Sequence, residues 1–412
     1  MARRSAPNLG GLYPVGAGMS VTTIPLSGET ILCLATQAWD AHWTPVQQVM
    51  SRLAPHSTVL YVEPFRPLVR RLANRANATA GPRSSKLPRL REVMPRLFVY
   101  RPNYPYFPFH LKSPFLAAAN APLYKAEISA LLRKFGSKRP WLWAFFAQCL
   151  SVLDLKFEHV IYDCVDDWPA FFPDAREKKV VTAIDNTLSC AAEMVFVGSD
   201  PLKVKKSPLN PKTFVVNHAA DIRHFSKAAD PQTSVPADLE KIPHPRIGFV
   251  GMVDLIRFDS ELLRLVAVNP EYHVVIVGGA MPGAEKSLLG LPNVHLLGMK
   301  PLDELPGYLK GMDVCLMPYR LNDATRSIYP LKLHEYMATG KPVVATAIPA
   351  VDNFRDLIYV AENENQFVEQ ITRALKEKDP EVVLRRRVCA GEHSWEAHVA
   401  EKLRLVNLHI IS

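Results

Sequence analysis

Short apolar runs punctuate the first half of the chain at intervals, with helical stretches between them. Thr30-Ile-Leu-Cys-Leu-Ala35 is the first, and Thr58–Val62, Trp141–Phe146, Val160–Tyr162, Met194–Val197 and Thr213–Val216 follow. Continuous apolar runs of this length read as strands buried on both faces. The first helix opens at Thr44-Pro45, an N-cap residue followed by proline at the first helical position. A second series comprises Arg246–Val250, Tyr272–Val277, Asn293–Leu296, Val314–Met317 and Pro342–Ala345, and the stretch Pro380–Leu408 is helical, with Arg385, Arg386 and Arg387 on its polar side. Strands alternating with helices predict α/β architecture: two doubly wound, Rossmann-like domains, each a parallel sheet with helices on both faces. Such sheets bind ligands in the crevice beyond the carboxyl ends of their strands.

The organisation follows from the breaks in this pattern. Residues 1–28 have no period and several Gly and Pro, and read as a disordered leader. Residues 29–225 form the N-terminal domain. Residues 226–245 are polar, with prolines at 231, 236, 243 and 245, and read as a linker. Residues 246–380 form the C-terminal domain, and 381–412 the terminal helices. At 412 residues the chain is too long for one compact domain, and its 48% apolar and 22% charged content excludes overall disorder. No apolar run reaches the eighteen residues a spanning helix needs, and the basic N-terminus lacks a signal peptide's apolar core. The six cysteines, at 33, 149, 164, 190, 315 and 389, show no metal-binding spacing. A cytoplasmic protein without a metal site is the expectation.

Charge changes this picture in one region. Residues 1–150 hold 19 of the 49 Lys and Arg but only 5 of the 40 Asp and Glu, against 30 and 35 in the remainder. Between Arg66 and Arg101 ten basic residues face Glu92 alone, and the block runs into Tyr100, Tyr104, Tyr106, Phe107, Phe109 and Phe115. Basic groups interleaved with aromatics suit an anionic membrane surface, to which the protein would bind peripherally, or an ordinary solvated face. Nucleic acid is not expected as a partner.

The most informative segment is Tyr329-Pro-Leu-Lys-Leu-His-Glu-Tyr-Met-Ala-Thr-Gly-Lys-Pro-Val-Val-Ala-Thr346. Pro330 suits a helix's first turn and Gly340 the left-handed residue just past its end. Lys332, Glu335 and Tyr336 then share one helical face. A lysine in the first turn makes the helix N-terminus an anion site suited to a pyrophosphate, and Glu335 can accept hydrogen bonds from a ribose diol. By spacing alone, the same residues equally describe an amphipathic helix with a surface Lys–Glu pair.

This stretch resembles the donor-site helix of the GT-B glycosyltransferases of group 1, and other segments agree in order. Ile247-Gly-Phe-Val-Gly251, Val274-Val-Ile-Val-Gly-Gly279, Asn293–Pro301 with Leu305–Leu309, Asp313–Tyr319 and Asn217-His-Ala-Ala-Asp221 each resemble a motif of that family. The resemblance implies a nucleotide-sugar donor, UDP- or GDP-linked, held by the C-terminal domain. It carries donor contacts to Gly251, Met252, Met299, Tyr319, Leu331, Lys332, Glu335 and His218. Diphosphate charge would be met by Lys332, the helix terminus, Thr325, Ser327 and Arg257, with no metal and no cofactor.

The family likeness also bears on His159-Val-Ile-Tyr-Asp-Cys-Val-Asp-Asp-Trp-Pro169, whose Asp163, Asp166 and Asp167 fall at a strand end facing the cleft. The layout is similar to that of the xanthan-type glucuronosyltransferases, where an aspartate at this position is the general base. That role falls to Asp166 or its neighbour Asp167, provided burial or a like charge raises the pKa; a helix-capping or turn role is the plainer reading. Ser327 stands where retaining members carry a glutamate, which favours inversion. Ala219 replaces the family's usual glycine. The Gly-rich acceptor loop is replaced by Trp39, Asp40, His42 and Trp43, either an acceptor platform for sugar stacking or, for the tryptophans, buried core. The expected activity is sugar transfer to a saccharide or polyprenyl-linked acceptor in polysaccharide or glycolipid assembly. A nucleotide-sugar epimerase and a non-catalytic nucleotide-sugar-binding module are the alternatives.

Overall fold

A computed structural model describes residues 26–41, 43–64, 88–102 and 114–411. The first sheet contains β1 (Thr30–Leu34), β2 (Thr58–Val62), β3 (Leu90–Met94), β4 (Leu97–Tyr100), β5 (Trp141–Ala144), β6 (Val160–Cys164), β7 (Met194–Val197) and β8 (Thr213–Val215). Its order is β3-β4-β2-β1-β5-β6-β7-β8, parallel except for the antiparallel edge strand β3. The second sheet contains β9 (Arg246–Val250), β10 (His273–Val277), β11 (Val294–Gly298), β12 (Val314–Met317), β13 (Val343–Thr346) and β14 (Tyr359–Ala361). It is wholly parallel in the order β11-β10-β9-β12-β13-β14. The strand order reverses at β1 and at β9, and the crevices beyond those reversal points face each other across the cleft. Apolar side chains cover both faces of each sheet, which is why the strands read as continuous runs.

Several expectations change. Residues 26–28 are not part of a disordered leader. Leu26 is fully buried, its carbonyl accepts a bond from Ser57 Oγ (2.6 Å), and the Gly28 N–H donates to the His56 carbonyl (3.0 Å). Residues 1–25 lie outside the described residues. Part of the basic block, Leu90–Tyr100, forms the β3–β4 hairpin, whose turn places Arg96 at φ 66°. There Arg91 pairs with Asp40 at 2.5 Å and Arg89 with Glu127 at 2.6 Å, so these two cations are engaged within the fold. Arg70, Arg71, Arg75, Arg83 and Lys86 lie outside the described residues. Among the described residues no helix is long and apolar enough to cross a membrane. The strand β14 went unread because three residues, Tyr-Val-Ala, carry too little signal.

Residues 226–245 do not hang free between the domains. Phe225, Ala228, Leu239 and Ile242 enter the core of the second domain, and Lys310 Nζ donates to the carbonyls of Asp230, Pro231 and Thr233 at 2.7–3.0 Å. The chain crosses earlier, between Val216, packed in the first domain, and Ala220, packed in the second.

It also crosses back. Helix Pro380–Glu392 lies on the second domain, with Arg386 only 1% exposed and donating to the Leu357 carbonyl and Glu377. Of the three consecutive arginines the middle one is therefore buried. The next helix, Trp395–Val406, returns to the first domain. Val399, Leu405 and Val406 join its core, and Lys402 forms a buried ion pair with Asp163, which also accepts the Trp143 indole N–H at 3.1 Å. The outgoing and returning segments touch where they cross: the Ala220 N–H donates to the His393 carbonyl (3.0 Å) and His398 Nδ1–H to the Asn217 carbonyl (2.8 Å).

The Lys402–Asp163 pair yields a prediction. Lys402→Met should leave a carboxylate buried without its counter-charge and destabilise the protein by about 3 kcal/mol. Adding Asp163→Asn, which keeps the acceptor for Trp143, should recover part of that loss. Urea unfolding checks both; a single variant as stable as wild type refutes the assignment.

Candidate functional site

The second domain's wall of the cleft begins where β9 ends. Gly251 has φ 154°, and a Cβ there would lie 2.2 Å from Lys332 Cε. Gly278, at the end of β10, has φ 147°, and its Cβ would fall 1.9 Å from the Gly251 carbonyl oxygen. Only glycine fits this double approach, which lets the two loops run on side by side: Gly251 N–H donates to Val277 O and Val253 N–H to Gly279 O, both at 2.8 Å. Met252 and Met299 flank Gly279 and are 44% and 63% exposed, so the surface beyond these strands is apolar and open.

Helix Leu331–Thr339 rises beside this loop pair. Pro330 is its N-cap rather than a residue of its first turn, and Gly340, at φ 79°, ends it. Lys332 and Glu335 project from its first turns toward the cleft, while Tyr336 points inward and its hydroxyl accepts the Val250 N–H at 2.9 Å. Lys332 Nζ lies 5.5 Å above the Phe249 ring. Among the described residues neither Lys332 nor Glu335 has a side-chain hydrogen bond or an ion pair. Burial lowers the Lys332 pKa, with the Arg257 cation adding to the effect and Glu335 opposing it. Burial raises that of Glu335, which Lys332 opposes and Asp221 reinforces.

Arg257 supplies a second cation. The Asp254 side chain caps the loop by accepting the N–H groups of Ile256 (2.9 Å) and Arg257 (2.6 Å), and its other oxygen accepts Arg257 Nε–H at 2.9 Å. The guanidinium sits 5.6 Å from the centre of the Phe171 ring, which belongs to the first domain. Burial works against its charge, but Asp254 and Asp166 hold its pKa above the ordinary value. Asp254 escaped the sequence reading, although its spacing of three from Arg257 after a glycine turn is the available signal.

On the facing wall the three aspartates in and just after β6 separate. Asp163 does not face the cleft; it is the partner of Lys402. Asp167 is 6% exposed, pairs with Lys205 and lies 3.5 Å from Ser327 Oγ. Asp166 is half-buried, and among the described residues no hydrogen bond engages its carboxylate. Its pKa is raised to about 6, first by burial and then by the Asp167 charge, with Arg257 pulling the other way.

The remaining expected residues divide. Tyr319 lies at the end of β12 beside Arg257 and Glu335, and burial raises its pKa. Leu331 is the first residue of the helix Leu331–Thr339. Thr325 is fully buried, and its hydroxyl closes a capping box with Asn322, so the side chain is turned away from the cleft. Ser327 is 1% exposed and faces Asp167 and Lys205 rather than Lys332. His218 Nδ1–H donates to the Tyr329 carbonyl at 3.0 Å, leaving only Nε2 for a ligand; burial first, then Lys402, depresses its pKa to about 4, so the ring is neutral.

Of the acceptor set, Trp39 is 8% exposed and packed edge-on against Trp43 and Tyr61 at centroid distances of 5.2 and 5.1 Å. Its ring belongs to the core, and Trp43 packs against the same cluster. Asp40 is tied to Arg91, and His42 lies outside the described residues. Among the described residues no cluster of three or more His, Cys, Asp or Glu could hold a metal ion. The cleft thus joins an open apolar shelf, two adjacent cations, an unpaired carboxylate on the same helix face, and across from them one aspartate poised near neutrality.

Residues 244–377 match the family model described as glycosyl transferases group 1. A Bacillus subtilis protein named "Putative teichuronic acid biosynthesis glycosyltransferase TuaH" is 27% identical over 253 residues, 56% of this chain and 63% of that protein; the chain thus spans under two thirds of the relative's length. Sucrose-phosphate synthase from Thermosynechococcus elongatus superimposes with a TM-score of 0.63 at 16% identity, covering 92% of this chain and 98% of the other. HepE of Anabaena, solved with UDP and glucose, gives 0.60 at 13% identity and 92% and 99% coverage. An α,α-trehalose 6-phosphate synthase from Burkholderia multivorans gives 0.66 at 11% identity and 93% and 99% coverage. The fold is GT-B.

The raised pKa of Asp166 makes a stability prediction. The folded protein holds this proton up to about pH 6, whereas the unfolded chain releases it near the ordinary carboxyl value of 3.8. Asp166 therefore costs stability as pH rises through that window. Asp166→Asn should raise the melting temperature more at pH 7.5 than at pH 4. An equal shift at both values would show that the carboxyl is not perturbed.

Proposed function

We propose that this protein is a glycosyltransferase that moves a sugar from a UDP- or GDP-linked donor to a saccharide or lipid-linked acceptor in polysaccharide assembly. The observation that carries this reading is the pair Lys332 and Arg257. Two cations held close together beside the Gly251 backbone and a helix N-terminus call for a polyanion, and a nucleoside diphosphate supplies one. The base would lie on the shelf of Met252 and Met299, and Glu335 would accept hydrogen bonds from the ribose hydroxyls. Asp166 would take the proton of the acceptor hydroxyl as its oxygen attacks the anomeric carbon and the diphosphate departs toward Lys332 and Arg257. Attack opposite the leaving group gives inversion. With two cations meeting the departing charge, the reaction needs no divalent metal.

The acceptor would enter from the first domain. The basic and aromatic sequence between Arg66 and Phe115 supports a polyprenyl-linked acceptor presented at an anionic membrane surface. Teichuronic acid assembly, named for the Bacillus subtilis relative, is a process of this polymeric kind.

Binding and turnover with a panel of nucleotide sugars test the proposal. Lys332→Ala should weaken UDP more than uridine, because its partner is phosphate. Glu335→Ala should weaken both by roughly 1.5–3 kcal/mol, the range for a hydrogen bond to a charged group. Asp166→Asn should lower turnover by about 10²–10⁴-fold with UDP affinity intact, and Asp167→Asn should lower it less. If no UDP- or GDP-sugar binds below millimolar concentration, the reading fails. Isomerised donor formed without an acceptor would identify an epimerase instead.

A further inference from the structure

Ser327 is nearly inaccessible, yet what covers it comes from the other domain. It ends the short helix Asp323–Ser327, between β12 and the donor-face helix. Its carbonyl accepts the hydroxyl of Ser199 at 2.6 Å, and its own hydroxyl lies 3.3 Å from Lys205 Nζ and 3.5 Å from Asp167 Oδ2. Ser199 stands at the N-cap position of the helix Asp200–Lys206 without a capping side-chain bond, and Lys205 reaches from that helix to Asp167 on the loop after β6. The adjacent Lys206 turns inward to a buried pair with Asp185, so the two lysines have separate partners.

We infer that Lys205 is a positioning residue: by joining Asp167 of the first domain to Ser327 of the second, it latches the cleft closed and leaves Asp166 as the carboxylate that faces it. Opening the cleft has to break the Ser199–Ser327 bond, expose Ser327 and strip Lys205 of one of its two partners. The latch bears on the donor site because Ser327 lies five residues before Lys332, on the segment leading into the donor-face helix. Lys205 also supplies the counter-charge for Asp167, so that the carboxylate nearest to Asp166 is held in a fixed place. The consequence for turnover rests on the glycosyltransferase reading; the latch itself does not.

Amide hydrogen exchange on the full chain without substrate tests the latch directly, since exchange reports local opening. Lys205→Met should accelerate exchange in both 199–206 and 323–328 by about tenfold, equivalent to about 1.4 kcal/mol, with the central strands β1 and β9 unchanged. Lys205→Arg, which keeps the charge, should restore most of the protection. Unchanged exchange, or acceleration confined to 199–206, overturns the latch, as does a general loss of protection across the first sheet. In turnover, Lys205→Met should lower the ratio of sugar transfer to donor hydrolysis, because an open cleft admits water. An unchanged ratio together with accelerated exchange would overturn the positioning role. If no nucleotide sugar reacts at all, the glycosyltransferase reading fails while the exchange result still decides the latch.

Discussion

The double crossing of the chain between its domains governs everything else in this structure. One crossing alone would leave two sheets on a tether, free to face any direction. The return helix Trp395–Val406 removes that freedom by burying Val399, Leu405 and Val406 in the first domain and pairing Lys402 with Asp163. A buried ion pair contributes little net stability over a well-packed apolar pair, but breaking it strands a charge, so it fixes which helix docks where. Because both crossings lie together at Asn217–Ala220 and His393–Ser394, the domains share one hinge line. The carboxyl ends of β6 and β7 are thereby set against those of β9 and β12.

Given that frame, environment sorts four acidic side chains of the same chemistry. Asp163 is sequestered by Lys402, and Asp167 is held by Lys205. Asp254 is committed to its own loop and to Arg257. Of these four, Asp166 alone combines partial burial with no hydrogen-bonding partner among the described residues, the condition under which a carboxyl can hold and release a proton near neutral pH. The adjacent Asp167 contributes by repulsion, since two like charges side by side disfavour ionisation of the less well-compensated one.

Much of this was legible in the sequence, for physical reasons that also explain the failures. Strands buried on both faces carry their own signature, so all eleven strands read from apolar runs lie within two residues of their observed bounds, and β2, β7, β9 and β12 match at both ends. The helix Leu331–Thr339 was legible because Pro330 and Gly340 punctuate it and Lys332 and Glu335 fall on one face. What failed depended on partners far away in sequence. Nothing local marks Asp163 as the partner of Lys402, 239 positions on, or Trp39 as core rather than platform. The proline-rich stretch 226–245 reads as a linker because three apolar residues, Ala228, Leu239 and Ile242, scattered among polar ones, show their burial only when the second sheet is present to receive them. Lys205 was invisible for the same reason, since its two partners come from different domains.

The apolar shelf and the cations impose opposing demands on the same few residues. Met252 and Met299 remain exposed although burying them would be favourable, and Lys332 is desolvated beside a second cation, Arg257, with no direct ion pair among the described residues. Both features go with the close approach of Gly251 and Gly278, which brings two loops within backbone contact and lets the Lys332 side chain lie over Gly251 where a Cβ would otherwise stand. The open shelf and the desolvated pair of cations would each be relieved by one ligand that is flat and apolar at one end and doubly charged at the other. That coincidence within a single crevice, at the point where the strand order of the second sheet reverses, separates a built site from incidental surface.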